Sequence, residues 1–548
     1  MALDELRVRI GKSLSKYLTN YGELIGRARR DTKLFRDPIF GFQRLKPHEV
    51  LVVDSPFFQR LLGISQTGLA YLTYPASIHT RFEHSLNCLN LAERILNSLK
   101  SQDAEIEEYQ RSEVRLAALL HDVGHSIFSH LSETFYREFS DLQEALQDEE
   151  VLHGNRSEGE LVNYCILTSD EFRSMLWDPI VKTCKDDCKF LGDIGLKRVA
   201  QMIIGMPPDD DPNLRYLTEI INGPLDVDKL DYLSRDAYFT GISLNLDIDR
   251  LLPSLRIASV QNDERGRIEK RLVVDHRGIA VVEQLLFARM LLYDTVYHHH
   301  KVRAANSFFQ SLLKDYCDKE VWPTSTRKLN SISDFLELDE SEFLGHGYSD
   351  SKVKGYINCL RHRILPERAL VIAPRTLTNK NSHTIWGNRC SEFVSREDPV
   401  GRKHGLEFFD DIKDRIHYYA KDAGANDIQK EDIMIDIPEP PKYGRLGNDT
   451  LIQIVDDYVE PLRKLFPFQK VVGNYSTQYK YRSYVFSSQR FREFVAYAGF
   501  RAFKDQKINL NDLSLILAHQ DKSGLFAAKA IDVPDWRNNF YAPDMDFR

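Results

Sequence analysis

The chain has 548 residues, 42% apolar and 28% charged, with a formal net charge of −8. This balance excludes a disordered chain of low hydrophobicity and a protein dominated by a basic nucleic-acid footprint, and no run approaches the roughly 18 apolar residues of a membrane span. The seven cysteines are odd in number and scattered, and the opening MALDELRVRIGKSL carries charges where a secretory signal would be apolar, so a cytoplasmic protein with reduced thiols is predicted.

Residues 1–36 read as a helix followed by a basic stretch, Arg27, Arg29, Arg30 and Lys33, which suits either a solvated helix end or a phosphate contact. Residues 37–320 carry mainly helical patterning. From Arg81 to Leu99, the residues Leu86, Leu89, Ala92, Leu96 and Leu99 recur at steps of three or four and make one apolar face. Glu113 to His121 is rich in Ala and Leu, with a helix break at Gly124. The acidic stretch 136–160 predicts a loop or short exposed helix, and MPPDDDPN at 206–213 predicts a loop. A third helix is predicted from Asp226 to Ala237 and a long fourth from Gly278 to about Lys314. Over residues 321–548, strand-like runs (Ala369 to Ala373, Tyr481 to Ser487) mix with the helix-like run Glu407 to Lys421, and Pro438, Pro440 and Pro441 mark a break. The expected fold class is mainly α, with a helical core and a C-terminal α+β region.

The strongest chemical signal is His121-Asp122, followed by His125 and His130. Imidazole nitrogen and carboxylate oxygen together suit Zn, Mn, Fe or Ni rather than Ca. Alone, the dipeptide says little. Its company says more: His79-Thr-Arg81-Phe-Glu-His84 upstream, and Asp226-Val-Asp228-Lys229-Leu-Asp-Tyr232-Leu-Ser-Arg-Asp236 downstream. Two His and two Asp from three helices would hold one metal and leave positions open for water or a phosphoryl oxygen. In the last segment Asp228, Tyr232, Arg235 and Asp236 share a helix face, which is too polar for simple core. The alternative there is a solvated amphipathic helix with internal ion pairs.

With those motifs in order, the chain resembles the HD-domain deoxynucleoside triphosphate triphosphohydrolases from about Lys33 to about Arg303. Asp37-Pro-Ile-Phe-Gly41 and Asp54-Ser-Pro-Phe-Phe-Gln59-Arg60 complete the ordered set. The resemblance implies an HD-type helical core at 37–320, a regulatory or oligomer-forming region at 321–548, and hydrolysis of dNTPs to deoxynucleoside and triphosphate. It implies a divalent metal (Mg, Mn, Fe, Zn, Co or Ni) held by His84, His121, Asp122 and Asp228, with His125, His130, Glu133 and His153 as catalytic residues. Glu133 stands where vertebrate members have Asp. Sugar recognition would fall to Gln66, Tyr232 and Asp236, and the base would stack on Tyr297, although the His298–His300 run leaves that register open by one residue. Thr67 replaces a Leu beside the sugar. Arg81, Lys229 and Arg289 are the candidate phosphate cations. Lys33, Asp54 and Gln59 match positions contacting an activating nucleotide in homo-oligomeric relatives, tetramers or dimers. Leu62 replaces an Arg there, which predicts an altered activator or none. Asp54 and Gln59 also read as ordinary helix-start and turn residues.

Other signals are weaker. Cys184 and Cys188 lack the second pair a structural zinc needs. The aromatic and basic alternation at Tyr479–Tyr484 suits a half-buried strand or, less often, a single-strand nucleic-acid contact. A role in nucleotide-pool control or antiviral defence follows only by analogy. The competing functions are another HD-type phosphohydrolase (nucleotidase, cyclic-nucleotide phosphodiesterase or nuclease) and a non-enzymatic nucleotide or single-strand sensor.

Overall fold

The apolar face read from Leu86 to Leu99 belongs to a helix spanning Arg81–Lys100, and all five of its predicted apolar residues are buried. It begins where Glu83 Oε2 accepts the Thr80 N–H at 3.0 Å, a reciprocal cap at the first turn. The second helix, Glu108–Leu120, packs along it and stops at His121, before Gly124. The third, Val227–Thr240, is capped by Asp226, whose carboxylate accepts the Lys229 N–H at 2.9 Å. It ends at Gly241, where a φ of 75° requires glycine-like freedom.

This computed structural model describes residues 2–26, 31–102, 104–136, 139–151, 157–185, 188–261, 267–317, 329, 331–345, 351–395, 398–439, 445–455, 458–466 and 481–519. The chain is mainly α. It divides into two compact units that interleave along the sequence. The first comprises Met1–Leu292, Lys319–Ser349 and Lys442–Gln469, and the second comprises Tyr293–Asp318, Asp350–Pro441 and Lys470–Arg548. The units thus differ from a single cut at residue 320.

In the first unit, the amino-terminal helix Ala2–Leu18 buries Leu3, Leu6, Ile10 and Leu14. A hairpin, Lys33–Asp37 with Gly41–Leu45, occupies a stretch read as mainly helical. A second departure is a four-stranded sheet in the order Leu255–Gln261, Ile268–Asp275, Leu451–Val455, Tyr458–Pro461. Its first two strands hold only a few β-branched residues, Ile257 and Val260 in one and Ile268, Val273 and Val274 in the other, without period-two spacing, a signal weaker than the helical patterning around it. The acidic stretch holds the short helix Ser140–Ala145, whose Leu142 and Ala145 are buried.

In the second unit, Ser483–Ser487 lies centrally between the antiparallel strands Glu367–Ile372 and Ile433–Asp436. Helices Lys380–Val394, Pro399–Asp422 and Arg492–Asp505 supply Trp386, Ile412, Ile416, Val495 and Phe503 to its core. Every side chain from Ser483 to Ser487 is buried, so this strand offers no open base-stacking face. Tyr479 and Lys480 lie outside the described residues.

The long helix predicted from Gly278 to Lys314 is not continuous. Ile279–Leu292 is followed by a wide turn at Tyr293–Tyr297, where the His298 N–H reaches back to the Tyr293 carbonyl, and a new helix spans His300–Cys317. The five-residue reach at His298 widens the turn and breaks the four-residue ladder.

Candidate metal centre and catalytic cluster

Three helix ends converge on one point. His84 lies in the first turn of Arg81–Lys100, His121 caps the end of Glu108–Leu120 with Asp122 next, and Asp228 lies in the first turn of Val227–Thr240. His84 Nε2 lies 3.2 Å from His121 Nε2, 3.4 Å from Asp122 Oδ2 and 3.2 Å from Asp228 Oδ1. His121 Nε2 is 3.5 Å from Asp122 Oδ1 and 3.9 Å from Asp228 Oδ1. Ligands about 2.0–2.2 Å from one metal stand about 3–3.5 Å from each other, which is the spacing seen here. His84 and Asp122 are buried, and the Asp228 side chain is 39% exposed, so the cluster opens to one side.

Both imidazoles have their other nitrogen engaged. His121 Nδ1 donates to the Ala118 carbonyl at 2.8 Å, and His84 Nδ1 pairs with Asp231 Oδ2 at 2.6 Å. Each Nε2 is then left as a lone pair aimed into the cluster, the outer-sphere arrangement of metal-binding histidines. Two such lone pairs 3.2 Å apart beside two carboxylates repel unless a cation stands among them. The residues therefore fit a divalent transition metal. Cys88 is adjacent, its sulfur 3.6 Å from His84 Nε2, and with His84 and His121 it forms a further group close enough to share an ion.

Asp231 is the first functional residue that the sequence reading missed. Its carboxylate also takes Arg235 Nε at 2.9 Å, and Arg235 Nη2 reaches Asp37 Oδ2 at 2.7 Å. Asp37 Oδ1 in turn accepts the Ile39 and Phe40 N–H groups. Burial acts to raise the Asp231 carboxyl, but Arg235 and His84 outweigh it and hold it at about 2. The i,i+4 pair Asp231–Arg235 was the legible signal. It is buried, so the solvated-helix alternative does not hold.

Asp122 links this centre to a second cluster. Its Oδ2 accepts Arg81 Nη1 at 2.5 Å, and its Oδ1 is 3.1 Å from His125 Nε2. Burial raises the Asp122 carboxyl, yet Arg81 and the histidines hold it well below the usual carboxylate range. His125 Nδ1 lies 2.7 Å from Glu133 Oε1, and His130 Nδ1 lies 2.9 Å from Glu133 Oε2. Burial and Arg81 oppose the charged form of His125, but Glu133 and Asp122 raise it above the ordinary imidazole value. His130 is 75% exposed at the side chain. Space for Glu133 depends on Gly159, where a Cβ would lie 2.4 Å from Glu133 Oε1. His153 lies outside the described residues.

The substrate candidates are placed unequally. Arg81 is buried, donating through Nε to Ser129 Oγ at 2.8 Å and through Nη1 to Asp122, while Nη2 is buried with no hydrogen bond. Lys229 is turned back on the Gly223 carbonyl (2.9 Å) and Asp226. Asp236 is held by His79 Nε2 at 2.8 Å. Gln66 Oε1 is buried with no hydrogen bond, and Thr67 Oγ1 meets Ser77 Oγ at 2.9 Å. Tyr232 shares the helix of Asp228, and Arg289 lies on Ile279–Leu292, which packs against that helix. Tyr297 belongs to the second unit. Of the activator candidates, Lys33 Nζ pairs with Asp54 Oδ2 at 2.5 Å, and Gln59 Nε2 donates to the Val53 carbonyl at 2.8 Å. Leu62 is half exposed. Arg27, Arg29 and Arg30 lie outside the described residues.

Residues 81–236 match the HD domain family, and residues 246–397 match the HD associated region. The chain is 30% identical over 313 residues to an uncharacterised protein of Methanocaldococcus jannaschii, covering 56% of this chain and 56% of that protein. It is 27% identical over 285 residues to the deoxynucleoside triphosphate triphosphohydrolase SAMHD1 of Gallus gallus, covering 48% of this chain and 42% of that one. The chain spans about half the length of the curated relatives it matches. A hypothetical protein of Aquifex aeolicus with a solved structure shares the fold, with a TM-score of 0.56 at 24% identity over 85% of this chain and all of the other. The residues between His84 and Asp228 that gather at one point are therefore those of an HD domain, and the chain is related in sequence to the SAMHD1 triphosphohydrolases.

Proposed function

We propose that this protein is a metal-dependent phosphohydrolase that splits dNTPs into deoxynucleoside and inorganic triphosphate. The observation that carries this reading is the contact of two clusters through one carboxylate: Asp122 belongs to the ligand quartet and also touches His125 of the His125–Glu133–His130 group. The relation to the SAMHD1 enzymes supports the choice of substrate.

His84, His121, Asp122 and Asp228 would hold the ion. When bound, a divalent metal supplies Lewis acidity toward a phosphoryl oxygen and acidifies water. In the reaction, water oxygen bonds to the α-phosphorus, the bond from phosphorus to the sugar 5′-oxygen breaks, and that oxygen needs a proton. His130 is the exposed member of its group and is our candidate donor, with Glu133 holding its ring. His125, pressed between Asp122 and Glu133, orders both carboxylates. Arg81 has one buried nitrogen left for an α-phosphate oxygen. Lys229 and Arg289 would take the outer phosphates, and Gln66, Tyr232 and Asp236 the sugar. Lys229 and Asp236 are held by Asp226 and His79 and would meet the substrate with their remaining hydrogen-bonding positions. Nucleotide activation and homo-oligomer formation belong to the same proposal, with Lys33, Asp54 and Gln59 as the contact candidates.

The test is a product assay with Mn, Co or Mg and each dNTP alone and in mixture. Tripolyphosphate with deoxynucleoside is the expected result, and turnover only in the mixture identifies an activator. Pyrophosphate or monophosphate as product would replace this reading with another HD-type phosphohydrolase.

A further inference from the structure

The loop from His121 to His130 is held by groups remote in sequence. Arg60 donates from Nη1 to the His125 carbonyl at 2.8 Å and from Nη2 to the Val123 carbonyl at 2.6 Å. Asn163 Oδ1 accepts the Gly124 N–H at 2.6 Å. The far end of the loop is more demanding. Phe128 and Ser129 have φ of 54° and 57°, left-handed values that non-glycine residues keep only where the surroundings impose them.

Those surroundings come from a segment beyond the HD match. Glu340 opens a short helix, Glu340–Gly345. Its Oε1 accepts the Phe128 N–H at 2.8 Å, the Ser65 N–H at 2.8 Å and the Ser65 hydroxyl at 2.7 Å. The Ser65 carbonyl accepts the Ser129 hydroxyl at 2.5 Å, and Ser129 Oγ accepts Arg81 Nε–H at 2.8 Å. Arg81 then holds Asp122. The same segment packs Phe343 against Phe128 and Phe335 against Tyr136, and the Phe335 carbonyl accepts the Ser126 hydroxyl at 2.5 Å.

We propose that Glu340 is a positioning residue for the metal centre: by gripping Ser65 and Phe128 it fixes Ser129, and through Ser129 and Arg81 it sets the Asp122 carboxylate. Glu340 touches no candidate ligand. Its effect runs through a continuous chain of hydrogen bonds whose members Ser65, Ser129, Arg81 and Asp122 are all buried. The inference requires that the quartet bind a divalent ion and requires nothing about the substrate.

The experiment titrates the full chain with Co(II) in the absence of nucleotide, reading the visible absorption band and the affinity, beside a thermal melt of each protein. Loss of a direct outer-sphere partner weakens metal binding by about 10–100-fold, and Glu340→Ala, acting further back along the chain, is expected to weaken it by less, about 3- to 10-fold, with an altered Co(II) band. Glu340→Gln, which keeps an acceptor of the same reach, is expected to restore most of the affinity. Ser129→Ala cuts the chain at its middle, so Glu340→Ala with Ser129→Ala should bind little worse than the weaker single variant, the non-additivity of residues on one path. Should Glu340→Ala not fold, Glu340→Asp, whose shorter side chain withdraws the acceptor from Ser65 and Phe128, takes its place in the cycle with Ser129→Ala. An unchanged Co(II) band and affinity in folded Glu340→Ala, or penalties that multiply independently, overturns the proposal. If the unsubstituted protein takes up no Co(II), the proposed function falls along with it, whereas normal uptake with an indifferent Glu340 removes only this inference.

Discussion

His84 and His121 direct lone pairs at each other across 3.2 Å, and the residues behind them decide whether that geometry survives. Asp231 is the clearest case, because it orients His84 and neutralises Arg235 at once. Asp231→Asn is expected to lower metal affinity by about 10–100-fold and to destabilise the fold by about 3 kcal/mol, since it leaves a buried guanidinium short of charge. Metal content by mass spectrometry and a denaturant melt measure the two effects separately. His121→Ala should abolish metal uptake outright, and turnover that persists without metal would defeat the proposed mechanism. At Gly159 the constraint is space. Gly159→Ala drives a methyl into Glu133, so kcat should fall by about 10- to 100-fold with metal content unchanged. A kcat equal to that of the parent would show that Glu133 yields to the methyl without loss of its role, and Glu133→Gln with unchanged kcat would remove the carboxylate from the chemistry.

Among the elements, the short helix Glu340–Gly345 does more than its length suggests. Burial pushes the Glu340 carboxyl up to about 7, with the Ser65 and Phe128 donors working against the rise and Asp339 adding to it. Tyr71 also faces Glu340 and is itself raised to about 12. A carboxyl with a raised pKa in the folded state binds its proton more tightly there than in the unfolded chain. Its contribution is fully present below about 4.5, the unfolded value, and is lost as pH rises through about 7. Stability should therefore decline by about 3 kcal/mol across that window from this group, and Glu340→Gln should flatten the decline. Urea melts between pH 5 and pH 8 check the slope, and an unaltered slope in the variant assigns it to other groups. The helices Arg81–Lys100 and Glu108–Leu120 were legible from apolar spacing and an Ala- and Leu-rich run, and Val227–Thr240 from the shared polar face of Asp228, Tyr232, Arg235 and Asp236. The break at Tyr293–Tyr297 was not, since Ala, Leu and Val continue smoothly into it and only the local hydrogen bonding shows the change.

Across the whole molecule, the first unit closes only when three separated stretches meet. The strand Leu451–Val455 pairs in parallel with Ile268–Asp275, and residues 331–345 cover the loop before His130. A fragment ending at residue 320 would leave Phe128 and Tyr136 without their aromatic partners Phe343 and Phe335. It is expected to melt at least several degrees below the full chain, since losing even 1 kcal/mol shifts a large domain by about 2–4 °C. A fragment with an unshifted melt and full metal uptake would show that residues 331–345 are dispensable.

The amino-acid sequence by itself determined the mainly helical class and the three helices of the centre, because those signals are local: spacing or a short motif. The candidate ligands His84, His121, Asp122 and Asp228 came from the ordered motifs through their resemblance to the HD-domain triphosphohydrolases. Tertiary structure alone decided what stands behind them. Arg235 with Asp37, Arg60 beneath the loop carbonyls, and Glu340 under Phe128 join residues 65 to 212 positions apart, and no periodicity encodes such a pairing. It arises because a buried charge or N–H must find a partner wherever the fold brings one.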